Sequence, residues 1–338
     1  QAIKHLVADG RYDYIETGSL ISIRKNVQNI LIPSEENEVS MYPMDYEEFK
    51  WAMNDHATIP LLKQCFQEKK PLGDATNRKL MRDLRLYMLV GGMPKAVATL
   101  IETNNLEKVD RVKRGIINLY EKDFNRIDPT GNASKIFHQI PAQLTGNANR
   151  YMTWQATDGV AQSSLNEIIS EMKESMVVNI AYHANDPNAG MALHHSTDNF
   201  KMYLGDTGLF ITLAFWDKKF TDNIIYHKLL SDKLAADLGY VYENVVSQML
   251  KAAGNELYYY TFPTESGKHN YEIDFMIADG DKINPVEVKS SGYKAHASLD
   301  AFANKFSSRI RHRYLIYTKD LRKETDIICL PVYMTMFL

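Results

Sequence analysis

The chain has 338 residues, 45% hydrophobic and 24% charged, with a formal net charge of -3; that is long enough for two or three domains and gives no global pull toward nucleic acid or anionic lipid. Its two cysteines, Cys65 and Cys329, exclude a disulfide framework and a zinc knuckle, so a metal would be held by oxygen. No run approaches the ~18 to 20 apolar residues of a membrane span and no signal-peptide succession opens the chain, so the expectation is a cytoplasmic protein with no membrane contact.

Residues 1–55 read as strand (13–17), turn (Gly18-Ser19), helix (20–26), strand (38–42) and helix (45–53). The first strand has no preceding partner in sequence and the chain starts at Gln1 rather than Met, so a beginning inside a larger unit is expected. The last helix has Asp45 as N-cap and Glu47 and Glu48 in its first turn, where the helix dipole favours acids. Its apolar positions Tyr46, Phe49 and Met53 share a face.

Residues 56–128 read as a helical, lid-like bundle. Leu80, Leu84, Tyr87 and Met88 form one stripe that ends at Gly91-Gly92, Pro94 opens the next helix, and Ile116, Leu119, Tyr120 and Phe124 form a second stripe. Over 129–228, helices at 136–144 and 164–174 precede strands at 176–182 and 192–203 joined by the turn-rich 185–190, the order of a winged-helix-like module. Glu167, Glu171 and Glu174 give its second helix an acidic face, which suits packing between domains better than a major groove.

Residues 229–338 alternate helix and strand: a long helix (229–253), strands at 256–261, 271–277 and 283–289, a helix (298–306) and a strand (313–318). An α/β domain is expected. The middle strands flank an Asp-Gly hairpin at 278–282 and carry Asp274, Glu287 and Lys289, so the two carboxylates face each other across the turn. Mg²⁺ takes one or two carboxylates and completes its shell with water and phosphate, so Asp274 and Glu287 are the candidate metal ligands of a phosphodiester-cleaving site. Glu287 and Lys289 share a strand face, where the ammonium orients water or offsets developing negative charge, while Val288 points into the core. Glu243, among apolar neighbours on the long helix, needs a partner, and a metal or Lys289 would be one.

The plainer alternative is a half-exposed strand whose acids only form salt bridges. Lys305, Arg309, Arg311, Arg313, Lys319, Arg322 and Lys323 concentrate positive charge nearby, either as a phosphate-tracking surface or, more commonly for such runs, as a solvated face. The histidines show no metal spacing, and no Gly-x-x-x-x-Gly-Lys-Ser/Thr phosphate loop occurs, so the chain as it stands is not expected to bind ATP well.

Thr17-Gly-Ser19, Tyr42-Pro-Met-Asp-Tyr-Glu-Glu-Phe49, Gly91-Gly-Met-Pro94, Lys201-Met-Tyr-Leu-Gly-Asp-Thr-Gly-Leu209, Glu243-Asn244, Glu272-Ile-Asp-Phe275 and Val286-Glu-Val-Lys-Ser290, in this order, resemble the C-terminal two-thirds of a group of prokaryotic AAA+ ATPases. The resemblance implies a multidomain α/β chain: the C-terminal remnant of the P-loop domain (1–55), the lid-like bundle (56–128), the winged-helix-like module (129–228) and a PD-(D/E)XK nuclease-like domain (229–338). It implies that Thr17 or Ser19 senses the γ-phosphate of ATP in the intact protein, whose Walker segments precede this strand. It places Asp274, Glu287 and Lys289 at the acid, acid and lysine positions of the nuclease-like fold and Glu243 at its first-helix acid, with Ile273 where that fold often has proline. The partners implied are nucleic acid or a protein; a fold of this kind also survives as a binding scaffold without catalysis.

Overall fold

The computed structural model describes residues 10–15, 39–145, 150–157, 159–220, 224–231, 239–290, 292, 294 and 296–338. Thr17, Ser19 and the expected helix at 20–26 lie outside the described residues. Of the strands expected at 13–17 and 38–42, the described residues 13–15 and 39–42 form none; they are exposed except for the half-buried Tyr42.

Five helices follow: α1 (Tyr46–Ala52), α2 (Thr58–Glu68), α3 (Asp74–Val90), α4 (Pro94–Thr103) and α5 (Leu106–Ile127). The α1 start is a capping box, with the Glu48 N–H donating to Asp45 Oδ1 (2.8 Å) and the Asp45 N–H to Glu48 Oε2 (3.0 Å). Gly91, at φ +81°, ends α3, and Pro94 takes the first position of α4. In α5 the buried face is Val109, Lys113, Ile117 and Phe124, whereas Leu119 is 58% exposed. The expected stripe is therefore rotated. Lys113 can lie inside because its ammonium donates to the carbonyls of Leu89 (2.6 Å) and Gly208 (3.2 Å) and to Tyr226 Oη (3.1 Å), which satisfies all three of its donors.

Next come α6 (Asn132–Thr145), the short α7 (Thr153–Ala156), α8 (Gln162–Glu174), β1 (Val178–Ala184), β2 (His195–Leu204), α9 (Thr207–Ala214) and α10 (Ile224–Leu230). Then follow α11 (Gly239–Ala252), β3 (Tyr258–Pro263), β4 (Asn270–Asp279), β5 (Lys282–Val288), α12 (Ala297–Phe306), β6 (Arg313–Tyr317), β7 (Arg322–Glu324) and β8 (Ile327–Pro331). The long helix expected at 229–253 is described as the end of α10 and as α11, with 232–238 outside the described residues.

All eight strands form one mixed sheet in the order β2-β1-β3-β4-β5-β6-β8-β7. The β1–β2 hairpin, expected within a winged-helix-like module, thus continues the sheet of the C-terminal strands, with Tyr182 of β1 beside Tyr258 of β3 in a parallel pair. Alternation along β5 and β6 sorts the two faces: Val286, Val288, Tyr314 and Ile316 join the large core shared with the helices, while Leu315 and Tyr317 join a smaller core under Leu299 and Phe302 of α12.

Helices and sheet are locked together at close backbone approaches. Asp206 caps α9 through the Leu209 N–H (2.8 Å) and also accepts the Gly92 N–H (2.5 Å). A Cβ at Gly91 would run into the Asp206 carboxylate, at Gly92 into the Met44 carbonyl and at Gly208 into the Gly91 backbone. Gln248 of α11 donates to Tyr87 Oη (2.9 Å), and Tyr87 donates to the Met44 carbonyl (2.9 Å), tying the helix that carries Glu243 to α3.

Candidate active site at the splayed ends of β4 and β5

The β4–β5 hairpin sets the site. Its two-residue turn has Gly280 at φ +62° in the first central position, the sign a type II′ turn requires of that residue. The register runs from Asp279 opposite Lys282 to Phe275 opposite Val286 and ends there, one residue short of Asp274 and Glu287. On its other side β4 carries a bulge: Tyr258 faces Met276 and Tyr260 faces Ile273, so Asp274 and Phe275 together oppose Tyr259. Bulges re-aim side chains and end regular pairing. Here Asp274 Oδ2 accepts the Val288 N–H (2.7 Å), a carboxylate standing in for a ladder partner.

Glu287 lies in the interior strand β5 and is 4% exposed. Its Oε1 pairs with Lys289 Nζ at 2.6 Å, so the two side chains share a face as expected and Val288 packs into the opposite core. Its Oε2 is buried and has no hydrogen-bond partner among the described residues. Burial raises the Glu287 carboxyl above its ordinary value, Lys289 opposes this and Asp274 adds to it. The Lys289 ammonium is raised although burial disfavours its charge, because Glu287, Asp274 and Glu243 surround it.

Glu243 reaches the same region from α11, but its nearest partners are not Lys289. Tyr203 Oη donates to its Oε2 (3.3 Å), and Lys201 Nζ stands 3.8 Å away. Burial pushes the Glu243 carboxyl up to about 7 against the opposing charge of Lys201, with Asp274 and Glu272 raising it further. Asn244, the next residue, fixes the helix to the end of β2 by accepting the Leu204 N–H (2.9 Å) and donating to the Leu204 carbonyl (3.2 Å).

Three residues of this cluster, Lys201, Tyr203 and Glu272, lie within the motifs that carry the resemblance but were not expected as site residues. Glu272 precedes Asp274 by two on β4, and it pairs with Lys201. Burial raises the Glu272 carboxyl, opposed by Lys201. Lys201 is 6% exposed; its ammonium is held well above the ordinary value because Tyr203, Glu243, Glu272 and Asp274 outweigh the effect of burial. The sequence signal was a lone lysine inside the otherwise apolar run from Phe200 to Leu204, a charge that needs a partner.

Among the basic residues of 305–323, Lys305, Lys319 and Lys323 are exposed and the four arginines are paired with carboxylates. Arg309 pairs with Asp186, Arg311 with Asp279 (3.3 Å) and Asp281 (2.8 Å), Arg313 with Asp300 (2.9 Å) and Asp326, and Arg322 with Glu324. Each guanidinium thus already faces a carboxylate, and Arg313 is buried.

Among the described residues no three His, Cys, Asp or Glu side chains form a ready-made metal cage. The donor chemistry nevertheless fits a hard cation that asks for two protein oxygens: Asp274 and the unpartnered, buried Glu287 Oε2 supply them, and water or phosphate completes the shell.

Residues 81–219 match the model of one domain of unknown function, DUF8612, and residues 238–334 match that of another, DUF4143. No curated protein and no solved structure matches the chain. The first match spans the junction expected at 128–129, and the second falls within 229–338. DUF4143 is commonly found with AAA ATPase domains. Among the described residues no single helix is long and apolar enough to cross a membrane.

Proposed function

We propose that this chain is the C-terminal part of an AAA+ ATPase, and that its nuclease-like domain cleaves phosphodiesters with one Mg²⁺ held by Asp274 and Glu287. The observation that carries the reading is the buried Glu287 Oε2, without a hydrogen-bond partner among the described residues, beside Lys289 and next to the Val288 N–H that Asp274 accepts. The succession α11, β3, β4, β5, α12, β6 resembles the core of the PD-(D/E)XK fold, and the usual company of DUF4143 supports the ATPase context. ATP belongs to the intact protein, with Thr17 or Ser19 as the expected γ-phosphate sensor.

A bound Mg²⁺ polarises the phosphate and lowers the pKa of an attacking water. Lys289, beside Glu287, would orient the water and offset charge on the phosphate. Glu243, with its proton affinity brought near neutrality by burial, gives or takes a proton at its carboxyl oxygen. Val288, packed in the core, holds the strand so that its neighbours keep their face.

A second reading is favoured by the ion pairs Glu287–Lys289 and Glu272–Lys201: a non-catalytic module that binds nucleic acid or a protein. Incubation with single- and double-stranded DNA and RNA, with Mg²⁺, Mn²⁺ or EDTA, separates the two. The catalytic reading expects metal-dependent cleavage that Asp274→Ala abolishes. Cleavage undiminished in that variant comes from a contaminant, and retention of nucleic acid without cleavage favours the binding module.

A further inference from the structure

Four carboxylates from three elements lie near enough to sense one another's charge: Glu243 on α11, Glu272 and Asp274 on β4, and Glu287 on β5. They divide into two groups. Glu287 has Lys289 as its cation, just past the end of the same strand and partly open to solvent. Glu243 and Glu272 have Lys201, which comes from β2, three strands away from β4 in the sheet. Asp274 is electrostatically coupled to both groups.

Resting on the one-metal reading above, we propose that the Lys201 ammonium fills the position of a second divalent cation, so that the site works with one exchangeable metal at Asp274 and Glu287 and one fixed protein charge at Glu243 and Glu272. Two-metal phosphodiester sites clamp the attacking and leaving oxygens with cations roughly 3.5 to 4 Å apart. Here the second cation is built in.

The geometry supports this in three ways. The ammonium pairs with Glu272, stands 3.8 Å from Glu243 Oε2, and lies 5.5 Å from the centroid of the Tyr259 ring; carboxylates and an aromatic face surround it as they would a bound cation. Lysine is a compact point charge with three donors, suited to replace an ion rather than to form a planar fork. Finally, the side chain is enclosed, at 6% exposure, so a divalent ion between Glu243 and Glu272 would have to expel a buried ammonium. In this cluster the buried carboxylate oxygen without a hydrogen-bond partner among the described residues is Glu287 Oε2, and the exchangeable ion is assigned to it.

Mn²⁺ stoichiometry, read by electron paramagnetic resonance and by calorimetry on the folded chain, tests the assignment. The wild type is expected to bind one Mn²⁺, lost in Glu287→Gln; Lys201→Ala is expected to bind two, and Lys201→Ala combined with Glu272→Gln to return to one. Lys201→Gln, which keeps a hydrogen-bond donor for Glu272, replaces Lys201→Ala if that variant does not fold, with the same expectation of two ions. One ion in both the wild type and the Lys201 variant overturns the inference and leaves the one-metal reading standing, and two ions in the wild type also overturn it. A wild type that binds none removes the one-metal reading, and the inference with it.

Discussion

Replacing Asn244 by alanine removes the clamp that brings α11, and with it Glu243, to the end of β2. Asn244 is fully buried; it accepts the Leu204 N–H at 2.9 Å, donates to the Leu204 carbonyl at 3.2 Å and donates to Thr207 Oγ1 at 3.0 Å. Thr207 keeps its bond to Gln248 Oε1 (2.7 Å), so the loss falls on the two Leu204 backbone groups, which lie where water does not reach. A buried polar group stripped of its partner costs ~1 to 3 kcal/mol, so the pair predicts a destabilisation of about 2 to 6 kcal/mol. Urea unfolding measures the total, and hydrogen exchange at the Leu204 amide measures the local part. A change below ~0.5 kcal/mol, with the Leu204 amide still protected, would refute the clamp.

Gly92→Ala forces a methyl group into the Met44 carbonyl and is expected to destabilise by about 3 kcal/mol, at the upper end of overpacking effects, read as a shift of the urea midpoint. Lys113 is held down to about 8 from 10.5 by burial. A lysine depressed in the folded state stabilises fully above its unfolded value and loses that contribution as pH falls through the folded one. Lys113→Met should therefore remove a rise in stability between pH 8 and 10.5, seen as the difference between variant and wild-type stability profiles. The acid cluster has the opposite sign: Glu243, Glu272 and Glu287 are raised by burial, so their contribution is full below 4.5 and is lost as pH rises through the folded values, about 7 for Glu243. Thermal melts in EDTA should show a decline over that window, and Glu243→Gln should flatten it.

Local signals in the sequence carried the elements whose chemistry is local. The Asp45 cap, the stop at Gly91 followed by Pro94, and the hairpin around Gly280 are each settled by a few adjacent residues, and they stand where the pattern puts them. The hairpin that carries Asp274 and Glu287 was legible for the same reason, since one turn fixes its register. The rest depends on partners distant in sequence. Lys113 and Asp110 are buried because Gly208 and Tyr226, distant in sequence, supply hydrogen bonds to them. Lys201 and Glu272 are 71 residues apart, so neither announces the other. The continuation of the sheet into β1 and β2 rests on the Tyr182–Tyr258 pairing, which no hairpin turn encodes. β7 is three residues long and polar, too short for alternation to register.

The central claim is that Asp274 and Glu287 share one cation, and anomalous diffraction from a crystal soaked in Mn²⁺ measures this directly. The account predicts a single anomalous peak bonded to Asp274 and to Glu287 Oε2, with Lys201 still paired to Glu272. An absence of any peak, with Glu287 still bound to Lys289 and Asp274 to the Val288 N–H, would contradict it.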